Sequence, residues 1–224
     1  MSKQEREPLH AGLFPEAAGP TSRPPVFHKE VVFISSRVHA GEVPAQHTFK
    51  GMLSAYTTTT HHTPYIIHHT SFTIHTLGIL NLLLDPHDPI AHTLRSHYLF
   101  KLVPMLNPDG VYRGHFRMDQ YGQNLNRYYT VPSPSLQPSI FAAKSLLDYY
   151  ASTHQLSVYM DFHAHASKRG CFIYGNILEH IDDQVQNQLY CKYIALNTPH
   201  FDYEGCLFSK EHMFRIDPGD QAKG

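Results

Sequence analysis

The stretch VVFISSRVHAGEVPAQ, residues 31–46, combines a strand signal with polar chemistry that follows at once. Residues 31–34 are apolar and mainly β-branched, which is typical of a strand buried on both faces, and we predict a strand over 31–36. His39 and Glu42 then follow three residues apart. An imidazole and a carboxylate so close to a strand end fit two interpretations, an ordinary polar loop or two ligands of a metal site.

Further strand and helix signals alternate along the chain. Apolar runs predict strands over 98–103, 156–162 and 170–175, and helices are predicted just after Pro44, over 138–150 and over 182–196. The tetrapeptide NPDG, residues 107–110, is a strong turn signal. Strands that alternate with helices predict an α/β sandwich with a partly parallel sheet.

Composition limits the classes of function. The 224 residues suffice for one domain with a sizeable core, and 18 basic side chains against 19 acidic ones leave the chain nearly neutral. Near-neutrality argues against broad binding to nucleic acid or to an anionic membrane, so we expect neither as a partner. The apolar runs are too short to span a bilayer.

The cysteines and the N-terminus predict a cytoplasmic address. Cys171, Cys191 and Cys206 are odd in number and lack a C-x-x-C spacing, which favours free thiols in a reducing compartment. The first 20 residues contain no apolar core of a secretory signal.

Two segments stand outside the predicted domain core. Residues 1–27 are rich in proline, glycine and charge and are predicted to be an extended lead-in. Residues 54–80 contain eight threonines and five of the 19 histidines but no charged Lys, Arg, Asp or Glu. Such a histidine tract could bind a metal, but we favour an inserted segment within a domain that covers 28–224.

A zinc site with catalytic potential needs three protein ligands and one open position, and two histidines with a glutamate form one standard set. The third ligand should come from another strand end, where DFHAH offers His163 or His165. Strand alternation places Asp161 and His163 on one face, where Asp161 could orient the ligand through a hydrogen bond. A histidine satisfied within the core is the alternative for His163.

Residues 107–129, between two predicted strands, are rich in arginine and asparagine and are called the arginine segment. It contains Arg113, Arg117 and Arg127 together with Asn124 and Asn126. Arginine matches a carboxylate in a bidentate manner and also suits an oxyanion that develops beside a metal. Zinc with several arginines suggests hydrolysis of a substrate that carries a free carboxylate, although each arginine alone could simply pair with a surface acid.

Taken together, HAGE (39–42), NPDGV (107–111), NLNR (124–127) and DFHAHASKRGCFIYGN (161–176) resemble the zinc carboxypeptidases. The likeness is to the cytosolic carboxypeptidases that remove glutamates from tubulin and other proteins, and above all to the branch that cleaves branch-point glutamates. It covers residues 7–53 and 81–224. The resemblance implies an α/β/α sandwich around a mixed, mainly parallel sheet, preceded in the family by a small β domain.

The resemblance also implies roles for individual residues. His39, Glu42 and His163 match the ligands of one zinc ion per chain, and a water activated by that zinc would be the nucleophile. Arg117 matches the arginine that polarises the scissile carbonyl, and Asn126 and Arg127 match the pair that holds the terminal carboxylate of the substrate. Glutamylated protein tails, such as those of tubulin, are the expected partner.

One family feature has no counterpart in the sequence. The general base of the family is a glutamate on a later strand, whereas Glu179, Glu204 and Glu211 stand in other contexts, so we expect a C-terminally incomplete domain without its base. Loss of a general base typically lowers the rate by about 10² to 10⁴. Two alternatives follow: a non-catalytic zinc-containing module that binds acidic tails through Arg117 and Arg127, and a zinc deacylase of N-acyl amino acids.

Overall fold

The structure is a computed structural model that describes residues 25–50 and 78–213. Its strands are β1 (Glu30–Ser36), β2 (Tyr98–Val103) and β3 (Leu156–Phe162). The helices, in chain order, are α1 (Val43–Lys50), α2 (Ile79–Leu84), α3 (Pro89–His97), α4 (Pro108–Tyr112), α5 (Pro138–Ser152), α6 (Ile181–Asn197) and α7 (Lys210–Met213), and a 3₁₀ turn covers Leu125–Arg127.

The three strands form one parallel sheet in the order β2-β1-β3. Val31 and Phe33 of the central strand are fully buried, as their apolar, β-branched run predicts. Helix α1 contacts β1 and β3, α3 contacts β2, and α5 contacts β3. The predicted α/β class is confirmed, and the predicted bounds of β2 and β3 agree with the structure.

The chain divides into two compact units. The described part of the first contains the sheet and α1–α5, over residues 25–50, 78–125 and 131–164. Its core includes the fully buried Phe49, Leu106, Ile140 and Tyr150. The second contains residues 126–130 and 165–213, with α6 and α7. Within the described ranges, no helix has both the length and the apolar character needed to cross a bilayer.

Side-chain caps start two helices that sequence analysis did not anticipate. Asp88 accepts hydrogen bonds from the backbone N–H groups of Ile90 and Ala91, each at 2.8 Å, and so starts α3. Asn107 accepts from Gly110 N at 2.9 Å, with Pro108 in the first turn of α4. The NPDG turn is therefore the first turn of a short helix, because an Asx cap and an N-terminal proline suit both structures.

The predicted strand over 170–175 is wrong. Among the described residues, its backbone pairs in parallel at two isolated bridges, Cys171 with Phe201 and Tyr174 with Leu207. A turn lies between the two partner residues, where Gly205 N donates to the Asp202 side chain at 2.9 Å and Cys206 N donates to Tyr203 O at 3.1 Å. The turn interrupts the ladder and leaves two bridges in place of a strand.

The two segments set apart by composition fall mainly outside the described residues. Of the predicted lead-in, only residues 25–27 are described, and of the predicted insertion, only 78–80. Ile79 and Leu80 form the start of α2. The remaining interpretation of 54–80, and the domain division itself, stay predictions.

Candidate metal centre

The end of β1 leads the chain into the site through a left-handed residue. Arg37 has φ 58°, a conformation that non-glycine residues rarely adopt, and such residues are concentrated at functional sites. Leu106 N donates to Ser36 O at 2.9 Å, and Asn107 N donates to Arg37 O at 3.1 Å. The loop after β2 therefore holds the backbone of Ser36 and Arg37, which leads to His39.

His39, Glu42 and His163 meet at this end of the sheet. Their candidate ligand atoms all lie within 4.8 Å of one another. His39 Nδ1 is 2.6 Å from Glu42 Oε1, and His163 Nδ1 is 3.1 Å from Glu42 Oε2. Two histidines and a carboxylate from the segments that follow two adjacent parallel strands thus converge.

The second nitrogen of each histidine is held by an acceptor. His39 Nε2 lies 3.0 Å from Asn124 Oδ1, and His163 Nε2 lies 2.6 Å from Asp161 Oδ2. With the proton of each ring on Nε2, where Asn124 and Asp161 accept it, Nδ1 on the Glu42 side would be left to bind a metal. This donor set fits a metal ion such as zinc, whose histidine ligands normally donate their other N–H to a carboxylate or carbonyl.

The surroundings of the Glu42 carboxylate lower its pKa. Burial acts to raise its pKa, but hydrogen bonds and charge interactions with His163 and His39 outweigh that cost and hold the pKa well below its ordinary value. Ala164 N also donates to Glu42 Oε2 at 2.8 Å. Glu42 therefore stays ionised, as a metal ligand must.

Comparison with known proteins places this geometry in a family. No family model matches the chain. It is 32% identical to "Cytosolic carboxypeptidase-like protein 5" of Danio rerio over 97% of its length, and 33% identical to "Cytosolic carboxypeptidase 6" of Mus musculus over 82%. The chain belongs to the cytosolic carboxypeptidase family. It covers 32% and 29% of those two proteins, about a third of their length.

Solved structures agree at the level of fold. A metallo-carboxypeptidase from Burkholderia cenocepacia superposes with a TM-score of 0.58 over 88% of this chain and 44% of that one, at 21% identity. A metallo-carboxypeptidase from Pseudomonas aeruginosa gives 0.56 over 80% and 40%, at 20% identity. The sheet that carries the metal centre therefore has the metallo-carboxypeptidase fold.

Arg37 is a site residue of this cytosolic carboxypeptidase chain that sequence analysis did not assign. Its buried guanidinium donates from Nη2 to Ala40 O at 2.5 Å and from Nη1 to Gln46. Burial lowers the pKa of Arg37, while the charge of Glu42 opposes that shift. The available signal was a charged residue directly between a buried strand and the H-x-x-E motif.

Gly41 lies between the two ligands of the H-x-x-E motif, where the backbone of Phe116 passes too close for a side chain. Gly41 N donates to Phe116 O at 2.6 Å, and a Cβ at Gly41 would lie 2.6 Å from that same oxygen. Phe116 precedes Arg117, so this contact ties the arginine segment to the metal motif. The sequence shows this glycine, but the close contact with Phe116 that requires it is visible only in the structure.

The remaining predicted site residues lie in the loop after α4, in the 3₁₀ turn and after His163. Arg117 is half-buried in the loop after α4. Asn126 and Arg127 are both buried and lie in the 3₁₀ turn. His165, the alternative to His163, is exposed and packs edge-on against Phe172 at a ring separation of 5.8 Å, whereas the cluster contains His163.

Proposed function

We propose that this chain is the metal-binding part of a zinc metallocarboxypeptidase that removes glutamate from glutamylated protein tails, such as those of tubulin, in the cytoplasm. The supporting observation is the convergence of the His39, Glu42 and His163 ligand atoms within 4.8 Å. One zinc ion per chain would complete the set. The cytosolic names of the relatives support the address.

Zinc is the metal that the donor set favours. Two imidazoles and one carboxylate leave a fourth tetrahedral position open, which is the arrangement of catalytic zinc sites. Once bound there, zinc would polarise a carbonyl and activate a water molecule near neutral pH. The Nδ1 atoms of His39 and His163 and the Glu42 carboxylate would hold it.

The arginine and asparagine residues would orient the substrate. Arg117 would stabilise the oxyanion that develops on the scissile carbonyl, because a guanidinium offers several donors to concentrated negative charge. Asn126 and Arg127 would hold the terminal carboxylate, for which the planar fork of arginine is suited. These residues give an otherwise near-neutral chain a local preference for acidic tails.

A second candidate function is a non-catalytic zinc module that binds acidic tails. It is favoured by the positions of the glutamates that follow His163. Glu179, Glu204 and Glu211 are all exposed, so none of these three glutamates has the buried setting that would tune a general base. Such a module would use Arg117 and Arg127 to bind the tail and would release no glutamate.

Glutamate release is the test of the proposed function. The full chain, loaded with zinc, is incubated with a glutamylated tubulin-tail peptide, and free glutamate and bound peptide are both measured. We expect release that Arg117→Ala abolishes while the zinc content stays at one per chain. Peptide binding without release would replace this function by the non-catalytic module, and a chain that binds neither zinc nor peptide would refute both.

A further inference from the structure

A hydrogen-bonded path connects the central strand with the metal centre. Ser35 of β1 and Asp161 of β3 are direct partners in the parallel register. Ser35 Oγ donates to Asp161 Oδ1 at 2.7 Å, while Asp161 Oδ2 accepts from His163 Nε2 at 2.6 Å. The two oxygens of one carboxylate thus link the core of the sheet to a candidate ligand.

We propose that Ser35 is a positioning residue that locks the Asp161 carboxylate, and through it the ring and tautomer of His163, in the orientation that presents Nδ1 to the metal. This inference rests on the proposed zinc site. Ser35 does not touch the metal or the substrate, and its effect passes through Asp161.

The need for this lock follows from the position of His163. The residue lies one position beyond the end of β3, on an outer strand of the described sheet, and 28% of its side chain is exposed. Packing alone therefore constrains its ring incompletely. A carboxylate held at only one oxygen could rotate about its Cβ–Cγ bond, which has broad torsional wells.

Ser35 removes that rotation because its own position is rigid. It lies in the central strand and is fully buried, with β2 on one side and β3 on the other. Residues that support a metal ligand set its ring orientation, and a support built on a strand is more precise than one on a loop. A serine at this register position supplies one donor, and Asp161 can then accept from both sides.

The next residue in β1 offers a matched control. Ser36 is also fully buried in the same strand, but its hydroxyl is buried without a hydrogen-bond partner among the described residues. Ser36→Ala removes the same atom from the same strand as Ser35→Ala. The two variants therefore share the cost of a serine-to-alanine change in the core and differ in the link to Asp161.

The experiment measures zinc affinity of the full chain by competition with a chromophoric chelator. We expect Ser35→Ala to weaken zinc binding about fivefold, as loss of one hydrogen bond to a charged group implies. Asp161→Asn should weaken it by about 10- to 100-fold. Ser36→Ala should remain within about twofold of the unchanged chain, since it breaks no hydrogen bond in the structure.

Cobalt provides a readout that a purely structural role would not move. In the cobalt-loaded chain, the visible absorption bands report the ligand geometry, and we expect them to shift in Ser35→Ala and Asp161→Asn but not in Ser36→Ala. The melting temperature of the metal-free chain should fall in Ser35→Ala, which loses a hydrogen bond, and should change little in Ser36→Ala.

The outcomes separate this inference from the proposed function. Equal zinc affinities and unchanged cobalt spectra in Ser35→Ala and Ser36→Ala would overturn the role of Ser35 while the zinc site stands. If the unchanged chain binds no zinc, or if His163→Ala binds it as well as the unchanged chain does, the zinc site itself fails and this inference fails with it. Should Asp161→Asn not fold, the serine pair alone decides.

Discussion

The two histidines of the metal centre reach the same arrangement by different physical means. His39 follows the central strand, only 4% of its side chain is exposed, and its Nε2 meets the neutral amide of Asn124. His163 follows an outer strand of the described sheet, 28% of its side chain is exposed, and its Nε2 meets the carboxylate of Asp161. Burial constrains one ligand, whereas charged hydrogen bonding constrains the other.

Glu42 joins these two arms of the site. One of its oxygens faces each histidine, and Ala164 N ties it to the segment after β3. Because the carboxylate is half-buried and strongly engaged, its removal should affect both arms at once. The different burial and hydrogen bonding of His39 and His163 predict that substitutions at the site differ in their effects on zinc binding and stability.

The largest effect is expected from Glu42→Gln. The amide lacks the negative charge of the carboxylate ligand, so the variant should retain no zinc after dialysis. A ligand at a free concentration of 100 times its Kd stabilises the folded state by about 2.7 kcal/mol. Zinc should therefore raise the melting temperature of the unchanged chain but not that of the variant. Glu179→Gln, at an exposed glutamate, is the control, and an equal loss of zinc in both would contradict the assignment.

Replacing each histidine in turn should lower the free energy of unfolding by different amounts. Both His39→Ala and His163→Ala should lose zinc. In the metal-free chain, His39→Ala should cost about 3 kcal/mol, because it opens a cavity and removes the hydrogen bond to Asn124, and His163→Ala only about 1 kcal/mol. Chemical denaturation in the presence of a chelator measures both values, and equal costs would remove the distinction between a buried and an exposed arm.

Gly41→Ala tests the backbone on the His39 arm. The added Cβ would lie 2.6 Å from Phe116 O, so the loop must shift, at a cost of about 2 kcal/mol and with weaker zinc binding. Gly114→Ala is a useful contrast. The added Cβ meets no atom of the described residues within 4 Å, but Gly114 has φ 71°, so the change should cost about 1 kcal/mol without loss of zinc affinity. Unchanged zinc affinity in Gly41→Ala would show that the loop yields freely.

The smallest effect is expected from Asn124→Ala, which leaves the buried N–H of His39 without its acceptor. We expect a loss of about 1 kcal/mol in the free energy of unfolding and about tenfold in zinc affinity. The loss should be smaller than that of Asp161→Asn, because a neutral acceptor binds an N–H less strongly than a charged one. The same zinc titration measures both variants. A larger loss in Asn124→Ala than in Asp161→Asn would mean that burial does not hold His39 in place without the hydrogen bond to Asn124.

The α/β class and the main strands were predictable because their signals are local. The apolar run at 31–34 and the strand over 156–162 need no partner to be recognised, and a strand end followed by H-x-x-E directs attention to a metal. The strand predicted over 170–175 failed because a strand depends on its partner. Tyr203 and Gly205 lie in the turn that breaks the opposing segment, at a distance in sequence that no local pattern covers.

Residue type and distance from a strand end are local properties, so the sequence alone was enough to indicate which side chains could bind a metal. Tertiary structure alone decided which nitrogen of each histidine faces the site and what holds the ring. The supporting hydrogen bonds join residues 85 positions apart for His39 and Asn124, and 126 apart for Ser35 and Asp161. Parallel pairing brings β1 and β3 into register, and that pairing converts two distant polar residues into neighbours.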